Sequence, residues 1–116
     1  MNTEMINQLN RYFSTQPVSK AWVFGSFSRG EENPLSDVDL LVRYDENARI
    51  SLLKHAAMIC ELEKLLGRSV DLVQEGTLRP RVRERVNQDR KLIYEREKNE
   101  SVIKETAAYK KPYSNG

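Results

Sequence analysis

The sequence predicts an α/β (α+β) fold, a sandwich in which a small mixed β-sheet is flanked by helices. Three observations predict it. Short apolar runs of strand length alternate along the chain with stretches of helical periodicity. The first strand-like run ends in a Gly25-Ser26 turn rather than in a helix cap. The order helix, strand, turn, strand, helix, strand, helix gives an α/β sandwich with a small mixed sheet.

The elements follow in order. Met5, Ile6, Leu9, Tyr12 and Phe13 recur at helical spacing, so residues 3–14 read as an amphipathic helix with Thr3 as its N-cap. Gln16-Pro17 ends it, because the residue before proline avoids the helical region. Val18 to Phe24 is the first strand, and one short helical turn follows Gly25. Glu31-Glu32-Asn33-Pro34 is a polar turn, and a second strand runs from Ser36 to Tyr44. Asp45-Glu46-Asn47 closes that strand and offers caps for a long helix over 48–66. Its broad apolar face comprises Leu52, Leu53, Ala56, Ile59, Cys60, Leu62, Leu65 and Leu66, and Gly67 stops it. Ser69 to Gln74 alternates as a third strand. Leu78, Val82 and Val86 recur every four residues, so 78–87 is helical with Pro80 in its first turn. Lys91 to Glu95 reads as a short edge strand. Residues 1–96 therefore form one domain, and 97–116 read as a polar tail.

The chemistry concentrates around Val23-Phe24-Gly25-Ser26-Phe27-Ser28-Arg29-Gly30 and Ser36-Asp37-Val38-Asp39-Leu40-Leu41-Val42. Gly25 lacks a Cβ, so the backbone can bend sharply and approach a ligand. Ser26 offers a hydroxyl beside the N–H groups of a new helical turn, where phosphate oxygens fit. Asp37 and Asp39 lie two apart in a strand pattern and share one face, with Cα atoms about 6.6 Å apart. Acids so placed can hold divalent metals between them. Strands disfavour aspartate, so the pair calls for an explanation beyond a solvated face. The turn is not a Walker P-loop, since it lacks the Gly-Lys-Ser/Thr ending.

Composition narrows the classes. At 116 residues the chain is one domain with a modest core. No apolar run approaches the ~20 residues of a membrane span, and the N-terminus has no signal-peptide pattern. A single cysteine, Cys60, makes no internal disulfide, so a cytoplasmic location is the simple assignment. A net charge of +2 is too small to argue for direct nucleic-acid binding.

Gly25-Ser26-x-x-Arg29-Gly30, followed by Asp37-x-Asp39, resembles the signature of the nucleotidyltransferase superfamily that includes polymerase beta. It is most similar to the minimal nucleotidyltransferase (MNT) group, paired with HEPN partners in bacterial toxin–antitoxin modules. The likeness continues through Gly67-Arg68-Ser69-Val70-Asp71-Leu72-Val73 and Arg79-Pro80-Arg81-Val82-Arg83-Glu84-Arg85, and so covers about residues 20–95. Ser28 departs from the alanine more usual in the group, a small change the turn can absorb. The resemblance implies that Asp37, Asp39 and Asp71 are catalytic and bind two Mg²⁺ ions. It also implies that Gly25, Ser26 and Arg29 hold the phosphates of ATP or another NTP. It supplies the adjacency of the second and third strands, which periodicity does not.

The implied reaction transfers AMP from ATP to a tyrosine of a partner HEPN toxin, with the chain as antitoxin in a homo- or hetero-oligomer. Two alternatives stay open: a non-catalytic antitoxin that masks its partner, and a transferase acting on a small hydroxylated molecule. Other residues read more plainly. His55 has no Cys or His in metal spacing and reads as a surface histidine; Cys60 reads as core. Arg29 has a bland reading too, as a partner of Glu31 or Glu32. Arg79, Arg81, Arg83, Arg85, Arg90 and Lys91 read first as a solvated helix face, and second as a docking surface.

Overall fold

Four strands form one sheet in the order β3-β2-β1-β4. The computed structural model describes residues 1–96, so the expected tail at 97–116 lies outside the described residues. In chain order the elements are α1 (Thr3–Ser14), β1 (Val18–Phe24), α2 (Ser26–Arg29), β2 (Val38–Tyr44), α3 (Leu52–Leu66), β3 (Val70–Gln74), α4 (Pro80–Asp89) and β4 (Lys91–Glu95). β1 pairs antiparallel with β2 and with β4, whereas β2 and β3 are parallel. The sheet is thus mixed, and β4 lies at its edge as expected.

Alternation along the strands gives the sheet two different faces. One carries Ala21, Val23, Val38, Leu40, Val42, Val70, Leu72 and Tyr94, all buried under Leu9 and Phe13 of α1 and Met58 and Leu62 of α3. Burying a Leu or Phe side chain of this kind contributes roughly 1.5–3 kcal/mol, so this layer is the main source of stability. Asn10 Nδ2 donates to Ile93 O at 2.8 Å and fixes α1 to the edge strand. The other face is thinner. There Trp22, Leu41 and Val86 form a small buried cluster beneath α4, with Phe24, Val73 and Leu78 packed around it. The guanidinium of Arg90 lies 4.5 Å from the Trp22 ring and also reaches Glu75 at 2.9 Å, clamping the end of α4 to the sheet.

Several boundaries differ from expectation. Asn2, not Thr3, caps α1, its Oδ1 accepting from Met5 N at 2.8 Å. Ser51 caps α3 in place of the Asp45-Glu46-Asn47 group. β2 begins at Val38, so Asp37 stands just ahead of the strand. Of the broad apolar face expected on α3, only Leu62 is fully buried, alongside Met58, while Leu52 and Leu53 are 85% and 83% exposed. Cys60 is exposed rather than core. The reason is geometric: a flat sheet face covers one stripe of a helix, and α3 carries more apolar positions than one stripe. His55 is likewise not a simple surface residue. Its Nδ1 lies 2.7 Å from the Tyr44 hydroxyl and its Nε2 lies 2.8 Å from Leu72 O. A carbonyl only accepts, so Nε2 carries the proton and, in the neutral ring, Tyr44 donates to Nδ1.

Candidate active site

The turn after β1 is built from backbone geometry that few residues tolerate. Gly25 has φ 71° and ψ −150°, a region essentially reserved for glycine. Its carbonyl accepts from Ser28 N at 3.1 Å, Arg29 N at 3.3 Å and the Ser28 hydroxyl at 2.8 Å. The Ser28 hydroxyl is therefore turned inward and stitches the turn together, which explains how serine is accommodated in place of alanine. Glycine is required for a second reason, one of space. A methyl group at Gly25 would stand 2.3 Å from Asp39 Oδ2. The glycine turn and the acid strand thus meet face to face.

The acids are brought together by strand pairing. Asp39 lies opposite Phe24 of β1 and directly in register with Asp71 of β3. Register partners in adjacent strands share a face, so both carboxylates emerge on the side covered by α4, away from the main core. Asp37 lies two residues ahead of Asp39 and is exposed, as is Asp71, whereas Asp39 is half-buried. Val38 N donates to Ser69 O at 2.9 Å, which fixes the start of the ladder immediately after Asp37. Burial raises the Asp39 carboxyl above the usual aspartate value; the charges of Asp71 and then Asp37 add to this, and Arg29 offsets part. Carboxylates in such proximity repel, and a cation between them relieves the repulsion.

Among the described residues no three acidic, His or Cys side chains converge into a ready-made metal cage. That does not conflict with the chemistry of these donors. Mg²⁺ retains several waters and uses one or two carboxylates together with substrate phosphate oxygens, in preference to an all-protein cage. A half-buried Asp39 crowded by like charge and in register with Asp71 fits such an ion.

Arg29 lies at the end of α2, but its guanidinium is occupied by Glu31 and Asp89; Glu32 pairs instead with the N-terminal amine of Met1. Arg68 is a site residue to which no role was assigned from sequence. Its Nη1 donates to Asn33 O at 3.0 Å and Ser36 O at 3.1 Å, and its guanidinium lies 5.1 Å from the Phe27 ring. It therefore braces the loop that delivers Asp37. The only local signal was a cation directly before the third strand. A hollow of about 610 Å³ lies at the opposite end of the sheet, lined in part by Lys20, Arg43, Asp45, Glu95 and Arg96. Its cations are already engaged, Lys20 by Glu95, Arg96 by Asp45 and Arg43 by Glu75, so it carries none of the chemistry above.

A mixed sheet whose first strand ends in a glycine-serine turn, facing acids in register on the next two strands, is the arrangement of a nucleotidyltransferase domain. The chain belongs to the polymerase beta nucleotidyltransferase family, whose model matches residues 7–99. It is a nucleotidyltransferase. A Methanocaldococcus jannaschii protein with the provisional name protein adenylyltransferase is 40% identical over 73 residues, 62% of this chain and 71% of that protein. The protein adenylyltransferase MntA of Thermococcus cleftensis is 47% identical over 62 residues, 53% of this chain and 61% of the relative. A solved complex of a tri-AMPylated Shewanella oneidensis HEPN toxin with its MNT antitoxin matches with a TM-score of 0.65 at 17% identity. The match covers 83% of this chain and 74% of that one. At that identity the likeness speaks for the fold alone. Among the described residues, no helix is long and apolar enough to cross a membrane.

Proposed function

We propose that this nucleotidyltransferase transfers AMP from ATP to a tyrosine hydroxyl of a HEPN-type partner toxin, acting as the antitoxin of the pair. The observation that carries the reading is the direct register of Asp39 with Asp71 beside the Gly25 turn. The names of the relatives and of the matched complex support the substrate and the partner. Residues 1–96 are the catalytic domain, and a cytoplasmic location suits a nucleotide-using chain with one cysteine.

Asp37, Asp39 and Asp71 would hold Mg²⁺, which supplies charge neutralisation at the attacking and leaving oxygens of an in-line displacement. The chain's own residues do the rest. Ser26 and the backbone after Gly25 receive the β and γ phosphates, and Arg29 neutralises them. Asp71, whose side chain is exposed, accepts the proton of the incoming hydroxyl. The tyrosine oxygen attacks the α-phosphorus, its O–H proton passes to a carboxylate, and the bond to pyrophosphate breaks.

A second reading, masking without catalysis, draws on one observation: Leu52 and Leu53 on α3 are apolar and exposed, as a binding surface would be. One experiment separates the two. The chain, ATP, Mg²⁺ and the cognate toxin are incubated, and the toxin is weighed by mass spectrometry. Each AMP should add about 329 Da, the nucleotide less water in this displacement. Asp39→Asn should bind the toxin yet leave its mass unchanged. If that variant neutralises the toxin as fully as the wild type and no adduct forms with either protein, the enzyme reading of its biology fails.

A further inference from the structure

Arg29 closes the short helix that follows the glycine turn, and both useful edges of its guanidinium are engaged. Nε donates to Glu31 Oε1 at 2.9 Å, and Nη1 donates to Asp89 Oδ2 at 2.6 Å. A phosphate engages arginine through paired N–H groups, either the two Nη atoms end-on or Nε with one Nη side-on. Glu31 occupies a member of the side edge and Asp89 a member of the end. Glu31 is a local partner from the same turn. Asp89 is the last residue of α4, the helix that covers the acid face, and it reaches Arg29 across the site.

We propose that Asp89 competes with the nucleotide's phosphates for Arg29, so that triphosphate binding begins with the exchange of this carboxylate for a phosphate oxygen at Nη1. The inference rests on the reading of Arg29 as a phosphate ligand. Charge makes competition the better account than orientation. One guanidinium already faces two carboxylates, so its positive charge is offset before a phosphate oxygen arrives. The pair also lies at the water edge, with Arg29 45% and Asp89 25% exposed, where an ion pair is weak and its exchange is easy. Displacing Asp89 opens the end-on edge while Glu31 still holds the arginine in place. The released carboxylate turns to water.

The test is calorimetric titration of the full chain with α,β-methylene-ATP and Mg²⁺, an analogue whose α–β bridge resists cleavage. Asp89→Asn should bind about two- to fivefold more tightly than wild type, the range that loss of one exposed ion pair allows. Asp89→Glu, which keeps the competing charge, should bind as the wild type does. In an Arg29→Ala background Asp89→Asn should change nothing, because the contested group is gone. Unchanged or weaker binding by Asp89→Asn overturns the proposal, as does equal tightening in the Arg29→Ala background. Arg29→Ala alone reads the underlying assignment. If it leaves affinity unchanged, Arg29 is not a phosphate ligand and the competition falls with it. If it weakens binding while Asp89→Asn tightens nothing, only the competition fails. Thermal melting of Asp89→Asn confirms that α4 remains folded in the variant titrated.

Discussion

Replacing Gly25 by alanine should destabilise the protein through two separable effects. The first is backbone strain. At φ 71° and ψ −150°, a residue with a side chain costs about 1–3 kcal/mol. The second is collision. The new methyl would lie 2.3 Å from Asp39 Oδ2 and 3.3 Å from its Cγ, so the carboxylate must rotate away. Forcing a side chain off its rotamer costs roughly 0.5–1.5 kcal/mol. The sum is about 1.5–4.5 kcal/mol. In a domain of about this size 1 kcal/mol shifts Tm by about 4–8 °C, so a fall of at least about 6 °C is expected. Gly67→Ala is the control, since Gly67 caps α3 at φ 67° with nothing within 4 Å of the added methyl. It carries only the left-handed penalty of about 1–2 kcal/mol. Thermal unfolding by circular dichroism in EDTA at pH 7 compares the two. Adding Asp39→Ala to Gly25→Ala should recover the collision part and leave the strain. If Gly25→Ala melts no lower than Gly67→Ala, or if Asp39→Ala recovers nothing, the close approach of turn and acid is wrong.

The remaining predictions concern charge and exposure. The Asp39 carboxyl is raised by burial and by its acidic neighbours, so the folded chain holds this proton more firmly than the unfolded chain. Stability is therefore lost as pH rises from about 3.9 through the raised value, and Asp39→Asn should melt above wild type at pH 7 in EDTA, the gap closing below about pH 3.9. A lower melting temperature at pH 7 would contradict charge crowding. Glu75 behaves oppositely: the Arg43 hydrogen bond, helped by Arg90, holds its carboxyl below the usual glutamate value against the effect of burial. Glu75→Gln should melt below wild type at pH 7, and the two curves should merge as acid protonates Glu75 in the wild type; parallel curves down to pH 2 would refute the clamp. Cys60 is exposed, so Ellman's reagent should titrate one thiol per native chain, whereas reaction only after denaturation would place it in the core.

What could be read from sequence follows the range of the interactions involved. β1 and β4 fall where expected because their signals are local: Pro17 and Gly25 bracket the first apolar run, and the short last run is followed by polar residues. Gly67 ends α3 for an equally local reason, its left-handed φ. Asn2 and Ser51 were missed as caps because a neighbouring polar residue fitted the same pattern. The exposure of Leu52, Leu53 and Cys60 was not legible, since periodicity reports which residues share a helix face and not how much of that face another layer covers. Asp39 beside Asp71 is a long-range pairing that resemblance supplied and alternation alone did not. The Arg29–Asp89 contact spans sixty positions and leaves no local trace at all.

The parallel ladder between β2 and β3 separates two kinds of change that the chain can undergo. The distance from Asp39 to Asp71 is held by hydrogen bonds between neighbouring strands, and not by the length of the connection through α3. Residues inserted into the 45–51 segment would lengthen a loop and leave the acids where they are. A slip of one residue between the strands would instead set Asp39 beside Val70 or Leu72, whose side chains point into the main core. The length of the connection is therefore free to change, while the parity of each strand is not. Grafts and peptide tags belong in the connection; even a single deletion inside either strand would put an acid on the oily side of the sheet.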